Sequence, residues 1–291
     1  MRPLQNITGA TAGLEAFKQA MKTRIIAAVA LLIPLLILVV WLPKVCGAIL
    51  CGLVAAVGAW ELLHPTGFVT HPRLAAYAAI SAFAMSIWSF TGQQQAWLTL
   101  LVLTVFCAFF GEMMASHVKL TFDKIAFCLV AALVLPYLLS SLVRIFSMRL
   151  GRHYVIIPFI MAFLPDSGAY FAGKFFGKHK LAPVISPKKT IEGVLGGTVA
   201  GILGMMIYAF ILDLAFGMEV NYLFAVIYGI AAAGGSVMGD LSFSVIKRQT
   251  GIKDYGNLIP GHGGVLDRLD SMMVVGPLAE VLLLLLPLAV K

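Results

Sequence analysis

Charge is scarce in this chain. Only 12% of its 291 residues are Asp, Glu, Lys or Arg, while 60% are hydrophobic. Soluble domains average about 25% charged residues, so a chain of this composition does not suit a water-soluble domain. Cysteine is equally sparse. Cys46, Cys51, Cys107 and Cys128 all lie in apolar stretches without a CxxC pair, which excludes a disulfide framework or a thiolate metal site and leaves small core residues. The histidines His64, His71, His117, His153 and His179 show no metal-ligand spacing, and no internal repeat or low-complexity linker interrupts the sequence.

What is present is apolar sequence in long runs. With a mean hydropathy of +0.97, the chain reads as an all-α, polytopic integral membrane protein. A bilayer core takes about 20 mostly apolar helical residues per crossing. Nine segments meet that measure: 25–43, 45–63, 74–90, 96–111, 125–143, 154–176, 192–216, 222–246 and 266–290. Residues 1–24 are polar, with Leu14, Phe17 and Met21 at helical spacing, and are read as a cytoplasmic or interfacial segment. The first apolar run is longer than a signal-peptide core and no small-residue cleavage site follows, so it is taken as a retained span. The chain divides into this segment, an N-terminal membrane region (25–152) and a C-terminal catalytic membrane region (153–291).

Positive charge orients these spans. With the N-terminus inside, only Lys44, Arg144, Arg149, Arg152 and Lys291 of the 21 lysines and arginines fall on the far side. An N-in, C-out arrangement follows. The net charge of +8 then suits an anionic lipid surface or a phosphate-bearing substrate, and nucleic acid is not expected as a partner.

The rare charges gather in one stretch, Ser244 to Asp270, which holds Lys247, Arg248, Lys253, Asp254, His262, Asp267, Arg268 and Asp270. Burying charge in lipid costs about 2.5–3.5 kcal/mol per ionised side chain on insertion scales, so such crowding points to use. Asp240, Ser244 and Lys247 share a helix face, as do Asp267, Asp270 and Ser271. The turn-rich loop 248–266 is expected to fold back and join the two helix ends. Carboxylates without soft ligands suit a hard cation such as Mg²⁺, with substrate phosphates completing its shell, and the basic groups suit phosphate oxygens. The same pattern is also compatible with a salt-bridged helix boundary at the membrane surface.

Two further groups join this site. Ser186-Pro187-Lys188-Lys189-Thr190 precedes the seventh span, with Thr190 placed to cap it and the lysines placed as a phosphate clamp, unless the stretch is an ordinary basic loop. Asp166 shares a face with Tyr170 and Lys174 inside an apolar run, and Pro165 is expected to break the helix and open a polar cavity. An intramembrane carboxylate is a functional candidate by default, against a structural bridge to Lys174 or a hydrogen bond to Ser167. His262 sits among glycines and reads as a tight-turn donor to phosphate or backbone. Glu61 and Asp213 read as solvated residues at span ends, and Glu280 has no account from sequence.

The run Ser244, Lys247-Arg248, Lys253-Asp254, His262-Gly263-Gly264, Asp267-Arg268 and Asp270 resembles the signature of the phosphatidate cytidylyltransferases, or CDP-diacylglycerol synthases. The resemblance extends back through Asp166-Ser167-Gly168 and Ser186–Thr190, so it covers roughly the C-terminal half. It implies a multi-span helical enzyme, active as a homodimer, that joins CTP to phosphatidate with Mg²⁺ and releases pyrophosphate. It implies that Asp240 and Asp267 hold the metal. It places Ser186, Ser244 and Lys247 at a polar, substrate-facing cavity.

On this reading Asp240, Asp267, Lys247 and Ser244 are the catalytic candidates. Ser186, Lys188, Lys189, Thr190, Arg248, His262, Arg268, Asp166 and Asp270 are the substrate-binding ones, with Asp166 shaping the cavity or holding a second cation. A bacterial inner membrane with the site facing the cytoplasm is expected. A CTP-dependent lipid kinase and a transporter of anionic solutes are the rivals. The kinase would need a base for its lipid alcohol, and a transporter would more often show repeated halves.

Overall fold

The computed structural model describes residues 43–67, 69, 71–116, 120–258 and 263–290. The expected first span and the polar segment before it lie outside the described residues, as does His262. Seven helical stretches among the described residues are long and apolar enough to cross a membrane. In order they are α1 (Lys44–Leu63), α2 (Pro72–Phe90) and α3 (Gln95–Ala115), followed by a broken stretch of α4 (Phe122–Leu129), a π-helical turn (Val130–Val134), α5 (Leu135–Leu139) and α6 (Ser141–Ser147). After these come α7 (Gly151–Tyr154) running into α8 (Ile156–Phe176), then α9 (Ile191–Phe216) and α10 (Tyr222–Gln249). Large apolar side chains stay exposed along these helices, among them Ile80, Leu103, Leu195 and Leu214, as expected of surfaces that meet lipid. The protein is a polytopic, mostly helical membrane protein.

Two sequence expectations are corrected, those for Arg144 and Pro165. The segment expected as the ninth span carries α11 (Leu266–Leu269) and α12 (Met272–Leu285); Asp270 and Ser271 between them keep right-handed helical dihedrals, and Asp270 accepts a hydrogen bond from the Ser271 amide there. Residues 266–285 together rise about 30 Å, close to the thickness of the hydrocarbon core. Two short strand pairs accompany the helices and leave the fold mostly helical, as expected. Strands β1 (Lys180–Ala182) and β2 (Ser186–Thr190) form an antiparallel hairpin, and β3 (Glu219–Val220) pairs with β4 (Ala289–Val290).

Arg144, expected in a far-side loop, lies in α6 and is buried. Its Nε and Nη2 donate to Glu280 of α12 at 2.6 and 2.7 Å, its Nη1 reaches Ser140 Oγ at 2.8 Å, and its guanidinium lies 4.5 Å from the Tyr137 ring centre. A bidentate pair of this kind is what lets a charge stay inside a bundle, and it accounts for Glu280. Finally, Pro165 does not break its helix. It sits inside a continuous α8, whose carbonyl at Pro165 is approached closely by Gly197 of α9.

Helices α8, α9 and α10 pack against one another and frame the site. Small residues permit this approach. A Cβ placed on Gly229 of α10 would lie 2.4 Å from Ile202 Cα of α9, so the backbones touch where only glycine fits. Helix α12 packs on α10 and α8 on one side and on α5 and α6 on the other, which binds the signature region to the N-terminal helices. Tracing the helices alternately up and down puts the C-terminal ends of α1, α3, α8 and α10, with the β1–β2 hairpin and α11, at one end of the bundle. The pairing of β3 with β4 and the Tyr154 hydroxyl donating to the Ala289 carbonyl close the opposite end.

Candidate active site

A cavity of about 280 Å³ opens between α8, α9, α10 and the β1–β2 hairpin. Its wall carries Asp166, Tyr170, Ser186, Lys188, Lys189, Thr190, Ser236 and Asp240, with Pro165, Gly193 and Gly197 supplying close backbone. Each polar group is positioned by its own element. Thr190 caps α9 as expected, its Oγ1 accepting from the Gly193 amide at 3.1 Å, and this fixes the end of β2 against the helix. The hairpin base is held by Glu192, which accepts from the His179 backbone amide and contacts His179 Nδ1 at 2.6 Å. The lysines of β2 are thereby carried over the cavity, with Lys188 exposed and Lys189 reaching α10.

Lys189 Nζ lies 2.6 Å from Asp240 Oδ2, with both side chains partly accessible. Ser244, one turn further along α10, donates to Asp240 Oδ1 at a long 3.4 Å. Asp166 bridges helices: Ser236 Oγ of α10 donates to its Oδ1 and Ser271 Oγ donates to its Oδ2, the latter at 3.1 Å. The bridge to Lys174 and the bond to Ser167 weighed from sequence are not what satisfies it, since Ser167 bonds the Phe163 carbonyl.

The loop after α10 folds back as expected and builds a second cluster around Asp267. This carboxylate is buried, with Oδ1 2.9 Å from Lys247 Nζ and Oδ2 accepting from the backbone amides of Tyr255 at 2.7 Å and Gly264 at 3.0 Å. The Tyr255 ring lies under Lys247, 5.4 Å from Nζ to centroid, and its hydroxyl donates to the Phe243 carbonyl. Burial, with the Asp267 and Asp270 charges behind it, pushes the Tyr255 phenol above its usual range, so it stays a neutral donor. Arg248 Nε reaches the Ile185 carbonyl at 3.5 Å and ties the end of α10 to the hairpin. Arg268 is exposed on α11, and Asp270 lies at the α11–α12 junction.

The sequence-selected residues therefore fall into two neighbouring groups at one end of the bundle. Asp166, Ser186, Lys188, Lys189, Thr190 and Asp240 line the cavity, whereas Lys247 and Asp267 pair outside its wall. Ser236 was not singled out from sequence, although it precedes Asp240 by one turn and continues the face of Asp240, Ser244 and Lys247.

Among the described residues, no three Asp, Glu, His or Cys side chains converge into a ready-made metal cage. The donor set still fits Mg²⁺, which typically takes one or two carboxylates and fills its remaining positions with water and substrate phosphates. Asp240 is an accessible carboxylate at the cavity with one cationic partner. Asp267 is more heavily committed, and only Oδ1 has a partner able to move.

Residues 22–286 match the sequence model of the cytidylyltransferase family. This chain belongs to that family. Among its relatives is a phosphatidate cytidylyltransferase of Staphylococcus haemolyticus, 39% identical over 170 residues, a match covering 58% of this chain and 63% of the relative. A phosphatidate cytidylyltransferase of Staphylococcus aureus is 41% identical over the same length and coverage. The chain thus spans 63% of the length of these curated family members.

Proposed function

We propose that this chain transfers the cytidylyl group of CTP to phosphatidate, giving CDP-diacylglycerol and pyrophosphate. The observation that carries the reading is the Lys189–Asp240 pair on the cavity wall, a cation and an anion held 2.6 Å apart where water can reach both. Such a pair is ready to open onto a phosphate and its counter-cation. The family and the activity named for the staphylococcal relatives support the same reading.

An oxygen of the phosphatidate phosphomonoester attacks the α-phosphorus of CTP. The new P–O bond forms as the bond between the α-phosphorus and the bridging oxygen to the β-phosphorus breaks, and pyrophosphate leaves with that oxygen. The nucleophile's second pKa is about 6, so it is largely deprotonated near neutrality and needs no base. The barrier is mainly electrostatic, because a dianion must approach a triphosphate. Catalysis then rests on positioning and on neutralising charge. Lys188 and Lys189 receive the triphosphate at the cavity, and the capped start of α9 adds its favourable dipole. Lys247, Arg248 and Arg268 supply further positive charge at the same end of the bundle. Asp240 and Asp267 would hold Mg²⁺, and Lys247, 2.9 Å from Asp267 Oδ1, is placed to meet a phosphate oxygen. When bound, the metal would neutralise phosphate charge and polarise the phosphoryl group. Asp166 ties Ser236 on the cavity wall to Ser271, or takes a second cation.

This reading puts the cavity end in the cytoplasm of a bacterial inner membrane, where CTP is available. The charge distribution supports that orientation: Lys174, Lys178, Lys180, Lys188, Lys189, Lys247, Arg248, Lys253 and Arg268 cluster there, against Lys44, Arg149 and Arg152 at the opposite end. A homodimer is part of the same proposal.

The test is product analysis with purified protein in phosphatidate-containing vesicles supplied with CTP and Mg²⁺. The expected result is CDP-diacylglycerol by mass spectrometry with one pyrophosphate per lipid product, both strongly reduced in Lys189→Ala. Folded protein that makes neither product would overturn the reading.

A further inference from the structure

One buried carboxylate takes no part in the chemistry above. Glu61 lies near the end of α1 and is only 5% exposed, not solvated as its place at a span end suggested. Its Oε1 accepts from the Val265 amide at 3.0 Å and its Oε2 from the Leu266 amide at 2.8 Å. Among the described residues no lysine, arginine or histidine forms a salt bridge with it. A buried carboxylate without an ionic partner is costly unless its hydrogen bonds hold it. Two backbone amides do so here.

Those amides belong to the turn that enters α11, directly before Asp267. The adjoining Gly264 amide donates to Asp267 Oδ2, so two carboxylates grip successive amides of one turn, Asp267 at 264 and Glu61 at 265 and 266. The packing is tight. A Cβ on Gly264 would lie 2.6 Å from Glu61 Oε2, and one on Gly256 would lie 2.5 Å from Oε1.

We propose that Glu61 is a positioning residue for Asp267, clamping the Gly264–Leu266 turn so that Asp267 presents Oδ1 to Lys247. The assignment of Asp267 and Lys247 to the reaction rests on the proposed function; the clamp itself does not. Helix α1 thereby contributes to a site whose other parts all come from the C-terminal half.

The experiment uses the full chain in detergent or nanodiscs, as wild type, Glu61→Gln, Glu61→Ala, Gly256→Ala and the Glu61→Ala/Gly256→Ala double variant. Hydrogen exchange of a peptide spanning 263–270 reads the clamp without any substrate. Exchange there is expected to quicken at least tenfold in Glu61→Ala and less in Glu61→Gln, which keeps one acceptor oxygen, while α10 peptides stay unchanged. Turnover per folded molecule is expected to fall tenfold or more in Glu61→Ala with KM for CTP within about twofold, because a misplacement of ~1 Å can cost ~100-fold in rate. Gly256→Ala, which crowds the carboxylate, is expected to slow wild type but to add no further loss to Glu61→Ala. Unchanged exchange at 263–270 would overturn the clamp. Fewer folded molecules with normal turnover per molecule, or additive losses in the double variant, would overturn the positioning role. If wild type transfers no cytidylyl group, the functional reading fails, and the exchange data alone decide whether Glu61 holds the turn.

Discussion

Replacing Asp267 with Asn changes two things that a double variant can separate. Asp267 Oδ1 sits 2.9 Å from Lys247 Nζ, and the two side chains are 3% and 14% accessible. Oδ2 carries two backbone amides. An asparagine keeps one acceptor for those amides but turns an NH₂ group toward a buried ammonium. Breaking one partner of a buried pair typically costs about 3–5 kcal/mol, so Asp267→Asn is expected to destabilise by roughly 3 kcal/mol. At about 2–4 °C per kcal/mol for chains somewhat shorter than this one, the apparent Tm in detergent should drop by roughly 6–12 °C. Adding Lys247→Met removes the stranded ammonium and should restore about 2 kcal/mol of the loss, since paired deletions of a buried ion pair are far milder than single ones. Turnover should stay lower than wild type by orders of magnitude in both variants, because neither restores the charge pair. An Asp267→Asn protein with an unchanged Tm would refute the structural half of this reasoning. A double variant that regains wild-type turnover would refute the catalytic half.

Other expectations follow from the same geometry. Lys189→Ala should raise KM for CTP by about 10-fold or more, the worth of a charge-assisted phosphate contact of roughly 1.5–3 kcal/mol, measured by initial rates across CTP concentrations. Arg144→Ala strands Glu280 inside the bundle and should cost about 3–5 kcal/mol in thermal unfolding, with turnover per folded molecule close to wild type. Thr190→Val removes the α9 cap and should cost about 0.5–2 kcal/mol, again by thermal unfolding. Gly229→Ala drives a methyl group into the α9 backbone and should destabilise by about 1–3 kcal/mol, detected as a lower Tm and poorer recovery of folded protein.

Much of this arrangement was readable from sequence, for identifiable reasons. Hydrophobic runs located the described spans to within a few residues, because lipid demands one long apolar helix per crossing. The face formed by Asp240, Ser244 and Lys247 follows from helical spacing alone, and Thr190 carries its own capping signal. The glycine-rich loop announced that it would fold back. What stayed hidden depends on partners far apart in the chain. Glu61 meets amides 204 and 205 positions away, and Arg144 meets Glu280 136 positions away. No local pattern distinguishes such residues from solvated charges at span ends.

The most direct measurement of the central claim is the fate of the CTP phosphates. Membranes carrying this protein would be supplied with phosphatidate, Mg²⁺ and CTP labelled at either the α- or the γ-phosphorus, with Lys189→Ala membranes as the control. The account requires protein-dependent α-label in the lipid and γ-label released as pyrophosphate. Label from the γ-phosphorus in lipid, with none from the α-phosphorus, would contradict it and establish a lipid kinase instead.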